Sequence, residues 1–587
     1  MEYTNAQIAK LLRSVAAAYT LKKIGNIFQI RAYENAADSV EHSTSNIKDL
    51  WQEGQLDQIP GIGDKIKEYL DELFKKGKVE HFVSVKKGIP EVVFELLGIP
   101  GIGPKTAAKI ADLGVKDLRD LKENLKDGKL VKKGLSEKLA QTLLLGLEES
   151  GKRDNRMLLP YAFAQAERIL KYLKLSPDVE KADFLGSLRR MVATVGDLDF
   201  AASSRHPAEV MTHFIKMPQI KRVLDQGDNK ASVVLDSNLQ VDLLVGHPQS
   251  YGALLQHFTG SKSHNIHLRT VAEKKGLSLS EYGVTKVKSK KSKVKEEEVI
   301  KTETEEELYG MMGMQTPAPE IREDTGEIEA ALKHKLPSLI KLEDIKGDLH
   351  THSNYPFEHP SHGLGIDSME NMISKAKQLG YEFIGISDHP PGFSAVSSEA
   401  MVKSIEKRTK VIQNIKQNTK SIRVLNGLEI DILADGQLSV PDEALKTLDY
   451  CIAGIHSGHR GSKEIITKRI LAALENPHVD VLSHPTNRLI NERESSDADW
   501  DEIFKFCAKN KKLLEINGYP NRLDLRDDLV KPALKYGVKF IINTDAHAKD
   551  QMNNMRFGVA VARRGWATKE DIVNSWDWTK LANWFNI

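Results

Sequence analysis

Two aspartates, Asp197 and Asp199, stand one residue apart in the largely apolar segment 194–200. Alternate side chains of a β-strand lie on the same face, so this spacing predicts that both carboxylates project from one edge of a sheet. Adjacent carboxylates repel each other, and a divalent cation that also holds substrate phosphates relieves the repulsion. An isolated Asp-x-Asp pair is more typical of a solvated strand end. The neighbouring motifs instead favour a metal site for phosphoryl chemistry.

A third carboxylate, Asp242, lies in the second strand of a predicted hairpin. Residues 232–235 and 239–245 have the apolar and alternating patterns of strands, and residues 236–238 have the composition of a turn. If this hairpin joins the sheet that carries the Asp-x-Asp pair, the three carboxylates can meet across neighbouring strands. Such a site can hold two metal ions, of which one activates an attacking hydroxyl and the other stabilises the leaving oxygen.

Residues suited to phosphate binding flank the carboxylates. Gly186 permits close approach of a phosphate to the backbone, Ser187 supplies a hydroxyl, and Arg190 supplies a guanidinium fork. Downstream, a Gly-Ser turn precedes a predicted helix with two polar side chains four positions apart, which together form a plausible cradle for a nucleotide. The turn is Gly260 and Ser261, and the helical residues are Asn265 and Arg269.

Segment 186–269 resembles the palm and nucleotide-binding region of family X DNA polymerases, the polymerase beta-like group. The resemblance implies an α+β nucleotidyltransferase palm followed by a thumb, with dNTPs and gapped or primed DNA as substrates. It also implies that the catalytic residues Asp197, Asp199 and Asp242 bind Mg²⁺. The residues expected to bind the nucleotide are Arg156, Gly186, Ser187, Arg190, Gly196, Gly260, Ser261, Asn265 and Arg269.

The N-terminal region contains two near-copies of a Gly-apolar-Gly turn between helical patterns, at residues 59–66 and 99–106. Backbone N–H groups of such a turn, and the N-terminus of the next helix, can face a DNA phosphate. One turn could be an ordinary helix connection, whereas two copies favour non-specific binding of the DNA backbone. Both resemble helix-hairpin-helix motifs, and Tyr69 aligns with the lyase lysine of polymerase beta. The predicted DNA-binding residues are Gly61, Gly63, Lys65, Gly101, Gly103 and Lys105.

The C-terminal third repeats one pattern, an apolar run that ends at a potential metal ligand. The first case is His350 and His352, whose alternation directs both imidazoles to one side of a strand end. Helical patterns at 368–379 and 399–418 lie between the runs, which predicts a parallel α/β barrel. A single histidine is more often a core or surface residue than a ligand. In a barrel, however, the strand ends converge on one mouth and would gather these side chains into one cluster.

This pattern resembles the PHP domain, a distorted (β/α)7 barrel that holds up to three metal ions and hydrolyses phosphoesters. Mixed imidazole and carboxylate ligands suit Mn²⁺ or Zn²⁺. The sequence departs from the family where an aspartate is expected after His352, because Phe357 cannot bind a metal. Glu358, His359 or His362 could substitute, or the cluster could hold fewer ions. The metal ligands implied by the resemblance are His350, His352, His389, Glu429, His456, His484, Asp545 and His547.

The composition is that of a multidomain protein without membrane segments. The chain has 587 residues, more than one hydrophobic core normally organises, and its net charge of +2 means that DNA affinity requires local basic surfaces. The two cysteines, Cys451 and Cys507, are far apart and predict reduced thiols. The N-terminus lacks a signal pattern, and no apolar run approaches membrane length. These features predict a cytoplasmic protein, which we expect to be a monomer.

The motifs predict a multidomain order typical of bacterial and archaeal family X polymerases. We therefore expect a repair polymerase that fills short gaps, with a metal-dependent 3′-5′ exonuclease or 3′-end phosphoesterase in the PHP domain. Three alternatives remain: a structural PHP domain, an enzyme whose main chemistry is PHP phosphoester hydrolysis, and a DNA-binding scaffold without catalysis. The expected segments are a helical region with two helix-hairpin-helix motifs at 1–150, a palm at 151–250, a thumb at 251–332, a linker at 333–346 and a PHP domain at 347–587.

Overall fold

Two compact units are described in a computed structural model of the protein. The first contains Met1–Asn155 and Leu489–Glu494, and the second contains Arg156–Arg488 and Ser495–Ile587. Within the described chain, no helix is long and apolar enough to cross a membrane. The described residues are 3, 5–41, 47–52, 56, 62–97, 102–137, 139–140, 143–144, 156–236, 239–286 and 299–587.

The N-terminal unit is helical, as predicted. Apolar positions on its helices form two buried clusters, one that includes Leu70 and one that includes Ile110. Gly63 and Gly103 each occupy an N-cap, so in both repeats a helix begins directly after the second glycine of the turn. The described helices are Asn5–Lys22, Ile27–Glu41, Ile47–Gln52, Asp64–Lys76, Glu80–Lys86, Glu91–Leu96, Pro104–Asp112, Leu118–Lys126 and Lys129–Lys132.

The palm is built on a five-stranded mixed sheet. Its strand order is β2-β4-β7-β6-β5, and β1 and β3 pair separately in a two-stranded sheet. The helices Leu159–Leu173, Gly186–Arg189 and Pro207–Phe214 accompany the sheet. The strands are β1 (Met157–Leu158), β2 (Lys181–Phe184), β3 (Thr194–Val195), β4 (Leu198–Ser203), β5 (Ile220–Gln226), β6 (Lys230–Leu235) and β7 (Gln240–Gly246).

The predicted hairpin is confirmed as β6 and β7, which pair antiparallel, although turn residues 237–238 lie outside the described residues. The hairpin joins the sheet through β7, which lies parallel to β4. The expectation that Asp197 lies on the same strand as Asp199 is wrong, because β4 begins at Leu198. Since β3 pairs with β1 and not with this sheet, the chain bends between β3 and β4, and Asp197 lies in that bend.

The thumb follows the palm and packs against it through a buried carboxylate. Glu305 accepts hydrogen bonds from both terminal nitrogens of Arg189 in the palm, at 3.1 and 2.7 Å, and one from Arg322 at 2.5 Å. Burial raises the pKa of Glu305, but the two guanidinium groups outweigh it and hold the pKa at about 2. The thumb elements are helices Tyr251–Thr259, Lys262–Lys274, Glu305–Met311 and Glu327–Leu332, with strands β8 (Leu277–Ser280), β9 (Gly283–Lys286) and β10 (Val299–Ile300).

The C-terminal region is a nearly closed barrel of seven parallel strands in sequential order, as predicted. A parallel bridge between Thr351 and Ala546 links the first strand region to the last. Cys451 and Cys507 are free and buried in this domain. The strands are β11 (Gly347–Asp348), β12 (Phe383–Ile386), β13 (Arg423–Asp431), β14 (Tyr450–Gly454), β15 (Val481–Leu482), β16 (Leu513–Asn517) and β17 (Lys539–Asn543). The helices are Met369–Gln378, Ser398–Asn418, Asp442–Leu445, Lys463–Glu475, Trp500–Asn510, Asp527–Lys535, Met555–Arg564 and Trp578–Phe585.

Candidate active sites and nucleic-acid interface

The palm brings the predicted carboxylates to one end of two parallel strands. Asp199 on β4 and Asp242 on β7 are register partners, and Asp197 lies two residues before Asp199 in the preceding bend. Burial, together with repulsion from Asp197 and Asp242, raises the pKa of Asp199 to about 6. A bound cation would relieve this repulsion, so the geometry fits a metal site.

The palm carboxylates are more open than the ligand cluster in the barrel. Groups of three or more His, Cys, Asp or Glu side chains with ligand atoms within 4.8 Å of one another occur, among the described residues, in the barrel domain alone. Asp197 is exposed and Asp242 is partly exposed. Carboxylates arranged in this open way leave ligand positions for substrate phosphate oxygens.

A glycine places the predicted phosphate cradle directly beside Asp199. Gly186 has a φ of +54°, and a Cβ at this position would lie 2.7 Å from Asp199 Oδ2. Arg190 follows Ser187 by three residues in the sequence. It donates from Nη1 to the carbonyl oxygen of Thr259 at 2.6 Å and from Nε to Glu323 at 3.0 Å. Gly260 lies against this guanidinium, because its Cβ would be 3.1 Å from Arg190 Nη1.

Arg156 lies beside the bend that carries Asp197. It donates from Nε to the Thr194 hydroxyl at 3.1 Å and from Nη2 to the Thr194 carbonyl oxygen at 2.9 Å. A Cβ on Gly196 would be 2.8 Å from Arg156 Nη1, so the guanidinium packs closely against the backbone of Gly196. The structure therefore brings Arg156 and Gly196 to the palm carboxylates.

The helix after the Gly-Ser turn begins at the predicted place. The Ser261 hydroxyl accepts from the backbone N–H of His264 and caps the helix Lys262–Lys274. Asn265 is held in place, because it accepts from Gln256 at 2.8 Å and donates to the carbonyl oxygen of His257 at 2.8 Å. Arg269, one turn further along, is exposed.

The two helix-hairpin-helix turns are described in part. Gly61 and Gly101 lie outside the described residues. Among the described residues, no atom lies within 4 Å of a Cβ placed at Gly63 or Gly103, so these backbones are open there to an approaching group. Lys65 is exposed and pairs with Glu68 at 2.6 Å. Lys105 is exposed at the start of the second helix.

The open surroundings of Gly103 allow a clean test of DNA binding. Replacing Gly103 with alanine should lower the melting temperature only slightly, because the added methyl group meets no atom of the described residues and the change is confined to the N-cap. The methyl group should hinder close approach of a DNA phosphate and weaken binding to gapped duplex about fivefold, whatever the DNA sequence. Fluorescence anisotropy on two unrelated duplexes would measure this. Unchanged affinity for both would contradict the predicted role of the second turn.

Tyr69 lies in an aromatic cluster of the N-terminal unit. Its ring stacks on His81 with a centroid distance of 5.0 Å, and Lys65 lies 5.5 Å from the Tyr69 ring centroid. A phenol cannot form the Schiff base that a lysine forms. The structure therefore supplies no amine at this position.

The mouth of the barrel gathers all eight predicted ligands, each from a strand or the residues just after it. Glu429 is central, since its oxygens lie 3.0 Å from His350 Nε2 and 2.9 Å from His484 Nε2. Asp545 Oδ1 lies 3.3 Å from His352 Nε2 and 3.6 Å from His547 Nδ1. His389 Nε2 and His456 Nε2 each lie 3.3 Å from Glu429.

Several potential ligand atoms in this cluster lie close together but do not form hydrogen bonds with one another. Within the described part of the chain, four buried atoms have no hydrogen bond of acceptable geometry: His350 Nε2, both ring nitrogens of His352 and Asp545 Oδ1. Buried polar atoms are normally hydrogen-bonded, and atoms that converge without such bonds are typical of ligands arranged around a cation. The residues at the mouth therefore fit metal ions.

The electrostatics of the mouth also fit a positive charge. Burial lowers the pKa of His456, but Glu429 and Asp431 outweigh burial and raise the pKa to about 9. Burial lowers the pKa of His484 and of His547 to about 4. The raised pKa favours the protonated imidazole of His456 when no cation is bound, and metal binding would compete with that proton.

Glu515 on β16 is a site residue that the sequence analysis missed. Its Oε1 lies 2.7 Å from His350 Nδ1, and its Oε2 accepts from the backbone N–H of His484 at 2.8 Å. This contact leaves His350 Nε2 directed at Glu429 and Asp545, which is the usual arrangement of a metal-binding imidazole and its supporting carboxylate. A glutamate inside the apolar run 513–517 was the available signal, because an unpaired buried carboxylate is costly.

The segment after His352 decides which residue replaces the missing aspartate. Phe357 is buried and packs against Tyr355 with a ring centroid distance of 4.9 Å. Glu358 and His359 are exposed. His362 turns towards the cluster.

His362 joins a ligand group on one side of the cluster. Its Nε2 lies 2.8 Å from Asp431 Oδ1, and the same oxygen lies 2.7 Å from His456 Nδ1. The His362 ring centroid is 4.6 Å from that of His389 and 4.4 Å from that of His456. Of the three candidate substitutes, the structure therefore brings His362 alone to the cluster.

Comparison with known proteins assigns the chain to a family. It is 35% identical over 577 residues to a Bacillus subtilis protein named DNA polymerase/3′-5′ exonuclease PolX, a match that covers 97% of each chain. This chain belongs to the family X DNA polymerases. Family models match along its length: a helix-hairpin-helix domain at 3–79, a helix-hairpin-helix tandem at 93–149, a DNA polymerase beta thumb at 254–323 and a PHP domain at 348–518.

The barrel also has relatives of its own outside family X. A probable phosphatase of Clostridium acetobutylicum is 28% identical over 216 residues, covering 35% of this family X chain and 81% of the relative. A probable phosphatase of Caldicellulosiruptor bescii is 27% identical over 195 residues, covering 32% of this chain and 76% of the relative. Each match covers about a third of this chain and at least three quarters of the relative.

Proposed function

We propose that this protein is a DNA polymerase that inserts dNTPs at short gaps in DNA, acting as a monomer, and that its barrel trims or repairs 3′ ends. The observation that carries the polymerase half is the register of Asp199 and Asp242 beside Gly186 and Arg190. This arrangement supports a site in which carboxylates and a phosphate cradle lie together, as transfer of a nucleotidyl group requires.

In the palm, the chain's own residues bind and orient the reactants. Arg190 presents Nη2, which has no hydrogen-bond partner in the described part of the chain, to a phosphate oxygen of the nucleotide. Gly186 leaves the backbone close enough for a second contact. Mg²⁺ held by Asp197, Asp199 and Asp242 would lower the pKa of the primer 3′-hydroxyl and neutralise charge on the leaving pyrophosphate.

In the barrel, imidazole and carboxylate ligands favour Mn²⁺ or Zn²⁺. Ions held by these residues would supply Lewis-acid chemistry for attack of water on a 3′-terminal phosphodiester. Glu515 keeps His350 oriented, and Asp431 does the same for His456 through the 2.7 Å contact to Nδ1. A phosphomonoester at a 3′ end is the second candidate substrate, since the barrel resembles proteins named as probable phosphatases.

We infer that His362 supplies the ligand that Phe357 does not. Replacing His362 with alanine should lower the Mn²⁺ content of the reloaded protein by about one ion per chain, because an imidazole on one side of the cluster is lost. Elemental analysis after removal of metal with a chelator and reloading would measure this. His359→Ala is the matched control, since His359 is exposed and outside the cluster. Equal metal content in the two variants would exclude His362 as a ligand.

One assay tests both proposed activities. A gapped DNA with a labelled primer is incubated with and without dNTPs, in Mg²⁺ and in Mn²⁺. We expect extension by one or a few nucleotides with dNTPs, and shortening of the primer without them. A second substrate with a 3′-phosphate separates phosphodiester from phosphomonoester hydrolysis. Absence of extension under every condition would contradict the polymerase proposal.

A further inference from the structure

A helix of the barrel domain reaches the nucleotide cradle of the palm. The helix Met555–Arg564 ends in two arginines, and both contact residues that precede the barrel. Arg563 donates from Nε to Glu320 at 2.7 Å and from Nη1 to the carbonyl oxygen of Ile340 at 2.8 Å. Arg564 makes a different set of contacts, one of which is with Arg190.

Arg564 is held from the barrel side and donates towards the palm. Its Nε donates to Asp527 at 2.7 Å, which fixes the plane of the guanidinium. Its Nη1 donates to the backbone carbonyl oxygen of Arg190 at 2.8 Å and to Glu323 Oε1 at 3.1 Å. Arg564 is largely buried, with a side-chain exposure of 10%, so these contacts are little screened by water.

One carboxylate oxygen is shared by an arginine of each domain. Glu323 Oε1 accepts from Arg190 Nε at 3.0 Å and from Arg564 Nη1 at 3.1 Å. If Glu323 paired with Arg190 alone, its full negative charge would offset the positive charge of Arg190, which is proposed to bind phosphate. With Arg564 on the same oxygen, part of that charge is neutralised, and the positive charge of Arg190 remains available to a nucleotide.

We propose that Arg564 is a positioning residue for nucleotide binding: by holding Glu323 and the backbone of Arg190, it couples the docking of the barrel to dNTP affinity in the palm. This inference rests on the proposed role of Arg190 in binding the triphosphate. It gives the barrel an effect on polymerisation that is independent of its own hydrolytic site. Arg564 acts through Glu323 and Arg190 and touches neither substrate nor metal.

The test compares two adjacent arginines. Arg564→Gln and Arg563→Gln each remove one cross-domain charge from the same helix, but only the first contacts Arg190 and Glu323. In single-nucleotide insertion on a one-nucleotide gap, Arg564→Gln should raise the KM for dNTP about fivefold with kcat within about twofold of the parent. Arg563→Gln should leave both constants within about twofold. Equal effects of the two variants, or a loss of kcat at unchanged KM, would overturn the proposal.

Two further variants, Glu323→Gln and Arg190→Ala, test whether Arg564 acts on nucleotide binding through Glu323 and Arg190. If Arg564 acts through Glu323, the KM effect of Arg564→Gln should shrink to less than about twofold in a Glu323→Gln background. Full additivity of the two effects would overturn the route. Arg190→Ala should raise the KM more than Arg564→Gln does. An unchanged KM in Arg190→Ala would overturn the cradle and the coupling together, whereas a raised KM there with no effect of Arg564→Gln would overturn the coupling alone.

Discussion

Replacing Asp199 with alanine should reduce nucleotide insertion by roughly a thousandfold or more while leaving the affinity for gapped DNA within about twofold. Asp199 is the register partner of Asp242, lies two residues from Asp197 and is repelled by both. Its loss would remove a proposed metal ligand and with it the chemical step, whereas the predicted DNA-binding residues lie in the N-terminal unit. Primer extension with Mg²⁺ and fluorescence anisotropy on the same gapped DNA would measure the two effects.

The control for this prediction is Asp225→Ala, which removes an exposed carboxylate from β5 of the same sheet and should keep full activity.

The thermal stability of the Asp199→Ala variant gives a second control. The pKa of Asp199 is raised from 3.8 to about 6, so the ionised side chain destabilises the metal-free fold as pH rises through this window. Removing it should not lower the melting temperature at pH 8 in EDTA. Substantial extension by Asp199→Ala would refute the three-carboxylate site.

Replacing His350 and His352 together should eliminate shortening of primer 3′ ends, most visibly with Mn²⁺, while extension by the palm continues. The two imidazoles contact both central carboxylates of the barrel, Glu429 and Asp545. Without them the cluster loses two nitrogen ligands on one side, and binding of Mn²⁺ or Zn²⁺ weakens. Degradation without dNTPs and extension with dNTPs, measured on one substrate, separate the two domains.

The matched control is His478→Ala, since His478 precedes β15 at the end of the barrel opposite the mouth. Because the double variant removes two of the imidazoles that face the buried carboxylates Glu429 and Asp545, its melting temperature must be compared with that of the parent. His547→Ala removes a more exposed ligand, with a side-chain exposure of 28%, and should impair degradation with less cost to folding. Degradation at the parent rate by both variants would rule out this cluster as the nuclease site. If the parent itself degrades no primer with any metal, the barrel is better understood as structural support.

The sequence alone was sufficient for features with a local repeating pattern. Alternation predicted the hairpin β6 and β7 and the strand that carries Asp199, because each depends on a period of two within a few residues. The repeated apolar run ending in a ligand predicted the barrel, because parallel strands in sequential order must bring their carboxyl ends to one mouth. The positions of His350 and His484 in one cluster follow from that geometry.

Other site features were decided by the tertiary structure, because they depend on how distant segments pack. Asp197 leaves the strand since β3 pairs with β1, a pairing that the short segment does not reveal. The loop after His352 has no periodicity, so only its folded path shows that Phe357 is buried and that His362 reaches Asp431. The contact of Arg564 with Arg190 joins residues 374 positions apart in sequence. Local patterns carry no information on such a contact, which arises when the barrel docks against the palm.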